Sequence, residues 1–165
     1  MSSNNSMAGI RQALRTFQYG LFVLTSGQGA DVHAATITWV TQVSFSPRRI
    51  AIGVRKDSHI YPMLKAYGTF ALNVVGEGQE ALASTFFKYV EAADHQFEGY
   101  EFVEGPATGA PLFPQVTAWL ECRVIEEANE GGDHALFVAE ILAGDRPADA
   151  PQPLSLAATK WSYGG

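Results

Sequence analysis

Cysteine is almost absent: Cys122 is the only one in 165 residues. An intrachain disulfide is therefore excluded, and a reducing cytoplasm is the expected compartment. Charge is scarce as well, at 17% of residues against 47% hydrophobic, which argues against disorder and suggests surface covered by a second copy. No apolar run approaches the ~20 residues of a membrane-spanning helix, so no membrane association is expected. Met1–Ser6 has neither a basic n-region nor an apolar h-region. It reads as a short disordered lead rather than a secretory signal, ahead of one domain over 7–165.

Several chemistries are missing too. His33, His59, His95 and His134 are scattered, without H-x-x-x-H or paired-cysteine spacing, so no metal is expected. There is no G-x-S-x-G to present a nucleophilic serine, and no pair of carboxylates stands out for acid–base work. The net charge of −6 argues against nucleic acid as a partner. It conceals an asymmetry. Residues 1–90 carry eight Lys/Arg and four Asp/Glu, whereas 91–165 carry three and thirteen; if an anion is bound, the first half should bind it, and the other reading is an unevenly solvated surface. Gly76-Glu-Gly78-Gln-Glu-Ala81 has the dinucleotide pattern G-x-G-x-x-A, but no strand follows its helix; a plain strand-to-helix turn is the better reading.

What is present is mostly strand. Ile10, Ala13, Leu14 and Phe17 recur at helical spacing, predicting a short amphipathic helix over Ser6–Phe17. Tyr19–Ser26 then reads as a strand ending at Gly27-Gln-Gly29, and Val32–Ser44 as one long β-branched stretch closed by Ser46-Pro47. Ile50–Val54 is apolar on both faces, as an inner strand is, and Gly53 within it marks close approach of another backbone or ring. A helical turn over Pro62–Ala66, with Gly68 at its exit, precedes a strand at Thr69–Val75 and a short helix at Gln79–Phe87. Residues 91–115 show no period and read as a long loop. Thr117–Ile125 alternates and pairs with Ala135–Leu142 across Asn129–Asp133, with Cys122 on the apolar face as a small core hydrophobe. Six strands with only short helices between them exclude a doubly wound sheet and point to a closed or nearly closed antiparallel barrel.

Two segments carry candidate chemistry. Thr36, Thr38, Gln42 and Ser44 fall on one face at period two, with Trp39 and Thr41 opposite. Such a row can hydrogen-bond the edge of a flat heterocycle, or it is a solvated strand face; the pattern leaves both open. Arg55, Lys56, Ser58 and His59 lie between a strand and a helix start, either as a phosphate cradle or as a basic loop with an ordinary cap.

In order and spacing these pieces resemble the flavin reductase-like family, the FMN-binding split barrels. The resemblance runs from Phe17-Gln-Tyr-Gly20 through Val43-Ser-Phe-Ser-Pro47, Gly68-Thr-Phe-Ala-Leu-Asn-Val-Val75 and Ala118-Trp-Leu-Glu-Cys122 to Gly132-Asp-His134 and Trp161-Ser-Tyr163. It implies a six- to seven-stranded antiparallel Greek-key split barrel with short peripheral helices, working as a homodimer. It also implies FMN, with FAD as the alternative, reduced by NADH or NADPH, and an oxygenase or redox protein as partner. The phosphate would meet Arg55, Lys56, Ser58 and His59; the ring edge would lie along Thr36, Ile37, Thr38, Trp39 and Gln42, with Asn73 and Gln79 nearby. His134 would stand where nicotinamide stacks, positioning it or supplying a proton. Two positions depart from the family: Ala34-Ala35 stand before Thr36 where a glycine is common, and Ser58-His59-Ile60 replaces S-x-T. The T-W-V-T-Q run and K-D loop resemble the reductase-like domain of cyanobacterial flavodiiron proteins. The alternatives are a non-enzymatic FMN electron-transfer module of the flavoredoxin kind and a barrel binding haem or pyridoxal phosphate.

Overall fold

The computed structural model describes residues 3–165. Helix α1 (Ser3–Leu14) leads into β1 (Phe22–Gln28), β2 (Asp31–Ile37), β3 (Val40–Phe45) and β4 (Arg48–Arg55). Helix α2 (Tyr61–Tyr67), β5 (Thr69–Val74) and α3 (Glu80–Thr85) come next. Five two-residue strands follow: β6 (Ala92–Ala93), β7 (Gln96–Phe97), β8 (Tyr100–Glu101), β9 (Val103–Glu104) and β10 (Pro111–Leu112). The long pair β11 (Ala118–Ala128) and β12 (His134–Asp145) and a 3₁₀ turn at Leu156–Ala158 complete the chain.

Of the expected six-residue lead, Met1 and Ser2 lie outside the described residues and the rest falls within α1. The helix stops three residues before Phe17, where expected, because Thr16 ends it: its Oγ1 donates to the Ala13 carbonyl at 2.7 Å.

Seven strands form one sheet in the order β2-β1-β5-β11-β12-β4-β3, with every neighbouring pair antiparallel. The two edge strands, β2 and β3, are consecutive in the chain, joined by Thr38 and Trp39. Ile37 and Val40 can be no more than about 11 Å apart, so the sheet must curl until its edges meet there. The result is a split barrel. The stretch 32–44, read as one strand, is thus two strands on opposite edges. The break comes where the Trp39 carbonyl accepts the Gly53 N–H at 2.9 Å, tying the link to β4. Thr36 and Gln42 consequently do not share a continuous face, and the single polar row expected there does not exist.

Alternation along β1 explains the layering. Leu24 points into the barrel with Ile52, Phe70, Leu72 and Phe137, whereas Val23 faces outward onto a second cluster with Leu82, Phe86, Phe97 and Phe113. Each of these side chains is almost fully buried, worth roughly 1.5–3 kcal/mol apiece. The second cluster corrects the reading of 91–115 as structureless. Phe97, Phe102 and Phe113 anchor a three-stranded meander and a two-stranded pair, with left-handed Asp94, His95, Glu98 and Gly99 making the turns. Two-residue strands have no period to read.

Helix α2 closes one end of the barrel through Met63 and Leu64. Gly68 takes the left-handed conformation (φ 67°), and its N–H donates to the Leu64 carbonyl, ending the helix as expected. The last segment is laced between earlier ones: Leu154 N–H donates to the Val75 carbonyl and Leu156 N–H to Tyr19. That lacing delivers Trp161–Tyr163 to the mouth of the barrel.

Candidate functional site

A cavity of about 600 Å³ opens beside the β2–β3 link. Its first wall is the end of β2: Thr36, Ile37 and Thr38. Thr36 is occupied elsewhere, since its Oγ1 donates to the Ala83 carbonyl at 2.6 Å and its N–H to Phe86. Thr38 is different. It is 6% exposed, and its Oγ1 is buried without a hydrogen-bond partner among the described residues. A buried hydroxyl left unpaired costs on the order of 1–3 kcal/mol, so the cavity is suited to a ligand with a polar edge at that point.

The second wall is the loop after β4, where Arg55, Asp57, Ser58 and His59 line the cavity. Arg55 holds Asp57 through two bonds, Nε to Oδ1 at 2.9 Å and Nη2 to Oδ2 at 2.7 Å. That pairing raises the guanidinium pKa and lowers that of the carboxyl, on the exposed surface. Ser58 Oγ donates to the Arg55 carbonyl at 2.7 Å, leaving its oxygen free to accept. Lys56 faces away from the cavity, its Nζ donating to the Asn129 carbonyl at 3.0 Å. The β11–β12 turn is thereby fastened to this loop, helped by Lys56 N–H donating to the Asp133 carbonyl.

The third wall is formed by Phe86–Tyr89 and the returning tail. Trp161 meets Phe87 edge-on at 4.8 Å between centroids. Tyr163 lines the cavity and stands in front of His134, its hydroxyl 2.6 Å from His134 Nε2. His134 Nδ1 is 2.7 Å from Asp133 Oδ1, and that bond lowers the Asp133 pKa. Behind them the Trp39 indole tilts against His134 at 4.4 Å and meets Tyr163 at 5.1 Å. Burial raises the Tyr163 phenol above its usual range.

The residues expected at the site therefore separate. Thr36, Ile37, Thr38, Arg55, Ser58 and His59 line one cavity. Trp39 and His134 lie one layer behind it, through Tyr163. Gln42 is exposed on β3, its amide donating to the Ser44 carbonyl. Asn73 is fully buried in scaffolding, bonding Val23, Pro111 and Phe113 backbones. Gln79 clamps the 76–79 turn to Gln115. Asp57, Phe87 and Tyr163 were not singled out by sequence reasoning. Only the terminal Trp161-Ser-Tyr163 left a trace, as the end of the resemblance.

The fold is a seven-stranded split barrel with a polar-edged cavity beside its edge link. The chain belongs to the flavin reductase-like family: the model of the flavin reductase like domain matches residues 14–163. It is a flavin reductase-type oxidoreductase. It is 36% identical to the NADH-dependent FAD reductase of Streptomyces globisporus, over 83% of this chain and 75% of that one. The solved styrene monooxygenase flavin reductase of Pseudomonas putida S12 superposes with a TM-score of 0.75 at 28% identity, covering 95% of this chain and 97% of that one. A diflavin flavoprotein A 3 of Nostoc, described as putative, is 31% identical over 83% of this chain, which spans 24% of that longer protein.

Proposed function

We propose that this chain passes hydride from NADH or NADPH to FMN or FAD held in the cavity, with the phosphate toward Arg55, Ser58 and His59. The buried, unpartnered Thr38 hydroxyl carries the reading, because it supplies a polar contact for a ring edge at a fixed place. When bound, the flavin supplies the hydride-accepting chemistry itself. Thr38 orients the ring, Ser58 turns its hydroxyl from the Arg55 carbonyl to donate to the phosphate, and Arg55 exchanges Asp57 for it. Trp161 on Phe87 keeps water from the rim. Tyr163, His134 and Asp133 form a hydrogen-bonded line from the cavity to solvent, since the Asp133 side chain is 96% exposed. That line holds a proton at the Tyr163 hydroxyl and replaces it from outside.

The same reading includes a cytoplasmic homodimer that hands reduced flavin to an oxygenase or redox protein. The apolar stripe of α1 supports the dimer: Ile10 and Leu14 are exposed in the single chain, as are Val43 and Phe45 on the β3 hairpin. Gel filtration tests it, with a species of twice 17.8 kDa expected.

Anaerobic mixing of the flavin-loaded protein with NADH or NADPH tests the reaction. Bleaching of the visible flavin band is expected with at least one of them. A loaded protein that neither nucleotide bleaches would instead be an electron carrier reduced by a protein partner.

A further inference from the structure

The histidine nearest the cavity's basic loop has a partner that the reaction does not require. His59 lines the cavity, and its Nδ1 lies 3.0 Å from Nδ1 of His33, which sits on β2 opposite Ser26. The rings are 5.2 Å apart, and Tyr89 closes a third side at 5.4 Å from His33 and 5.0 Å from His59. Among the described residues no third His, Cys, Asp or Glu joins the two rings in a group that could hold a metal ion.

Two imidazoles that meet through Nδ1 can share one hydrogen, one ring donating and the other accepting. In the neutral pair the accepting ring carries its other hydrogen on Nε2, and the donating ring has a bare Nε2. One added proton settles on that bare nitrogen and leaves the bridge intact. A second would set two N–H groups against each other at bridging distance. The pair therefore accommodates a single positive charge.

The surrounding charges are already engaged. On β2, Asp31 accepts from the Tyr67 hydroxyl at 2.7 Å. On the loop, Arg55 and Asp57 hold each other, and Lys56 is bonded to Asn129. After α3, Lys88 pairs with Glu98 at 3.9 Å, beside Tyr89. Burial and the neighbouring His33 lower the His59 pKa, which favours the neutral form of that ring in the free protein.

We infer that the His33–His59 pair is a proton-coupled anion receptor: a flavin phosphate docking at His59 draws one proton onto the pair, and His33 positions His59 to receive it. This rests on the flavin reading above. The sign follows from linkage. An anion beside the pair raises its proton affinity, so flavin binding tightens as pH falls and takes up protons near neutrality. Without ligand the effect reverses, because a histidine whose folded pKa is depressed loses stability to the unfolded chain as pH drops below about 6.5.

FAD is the probe, because the monoester phosphate of FMN itself titrates near pH 6 (about that value). Calorimetry at pH 7 in two buffers of different ionisation enthalpy should show net proton uptake on FAD binding. Affinity should be about fivefold higher at pH 6 than at pH 8, tenfold being the ceiling for one pKa unit of coupling. His33→Gln should still bind FAD but change the size of the uptake and of the pH dependence, because His59 still takes a proton beside the anion, and His59→Gln should abolish both. FAD binding with no uptake and equal affinity at both pH values would overturn the inference while leaving the flavin reading intact. So would His33→Gln behaving as the parent does. No FAD binding at any pH would overturn both. The parent protein's own uptake decides the matter if His33→Gln does not fold.

Discussion

The indole of Trp39 rests on the backbone of Gly53. A Cβ built at Gly53 would stand 3.0 Å from Trp39 Cε3 and 3.3 Å from Trp39 Cβ. The same indole meets the His134 ring at 4.4 Å, so the bare backbone of Gly53 leaves room for this contact. Gly53→Val has no room on that face. It should destabilise the fold by about 1–3 kcal/mol, as overpacking does, and shift the tryptophan emission. Urea unfolding monitored by fluorescence checks this; unchanged stability would mean that Trp39 moves aside freely.

The Tyr163 hydroxyl is the inner end of the line through His134 to Asp133. Because burial raises its pKa, the phenol stays protonated across the physiological range and can donate. Tyr163→Phe keeps the ring against Trp39 and removes only the hydroxyl. The expected outcome is a kcat for flavin reduction lower by a factor on the order of ten to a hundred, with flavin Kd changed less than about twofold. Equal losses in both quantities would make Tyr163 a wall of the site and not a proton donor.

Local chemistry was readable in the sequence wherever one segment sufficed. Pro62 and Gly68 bracket α2, Gly53 announced a ring at its face, and Cys122 went to the core as alternation indicated. The basic loop and Thr36–Thr38 were legible as candidates because their residue types already suit a phosphate and a ring edge. What failed was anything set by distant segments. Period two runs unbroken through Thr38 and Trp39, so nothing local shows that the chain there leaves one sheet edge for the other. Gln42 stands outside the cavity for that reason. Asn73 was expected near a ligand only through the resemblance, and its buried amide holds three backbone groups. His33 and His59 are 26 residues apart, and their contact exists only once β2 is paired and α2 is seated.

Cys122 should be chemically silent. It is fully buried, and burial, with Glu121 beside it, pushes the thiol pKa up to about 12. At pH 8 only about one thiol in ten thousand is then thiolate, and no reagent reaches it. Iodoacetamide should leave the native protein unlabelled and label it once in urea. Rapid labelling of the native protein would show that β11 opens locally on the timescale of the reaction.

Glu121 is the one acidic side chain among the buried residues, at 0% exposure, and its carboxylate meets no cation. Instead it accepts the Ala107 N–H at 3.0 Å, the Thr108 N–H at 2.9 Å and the Thr108 hydroxyl at 2.7 Å. Those donors belong to the turn between β9 and β10, so Glu121 nails that turn to β11. Glu121→Ala would leave the buried N–H and hydroxyl of Thr108 without their acceptor, at about 1–3 kcal/mol each before any relaxation, and would release the N–H of the exposed Ala107 as well. Glu121→Gln keeps one acceptor oxygen but turns an amide NH₂ toward groups that also donate. Alanine should therefore lower the urea midpoint strongly, and glutamine should recover only part of it. A glutamine variant as stable as the parent would mean that the turn needs the shape of the side chain and not its second acceptor.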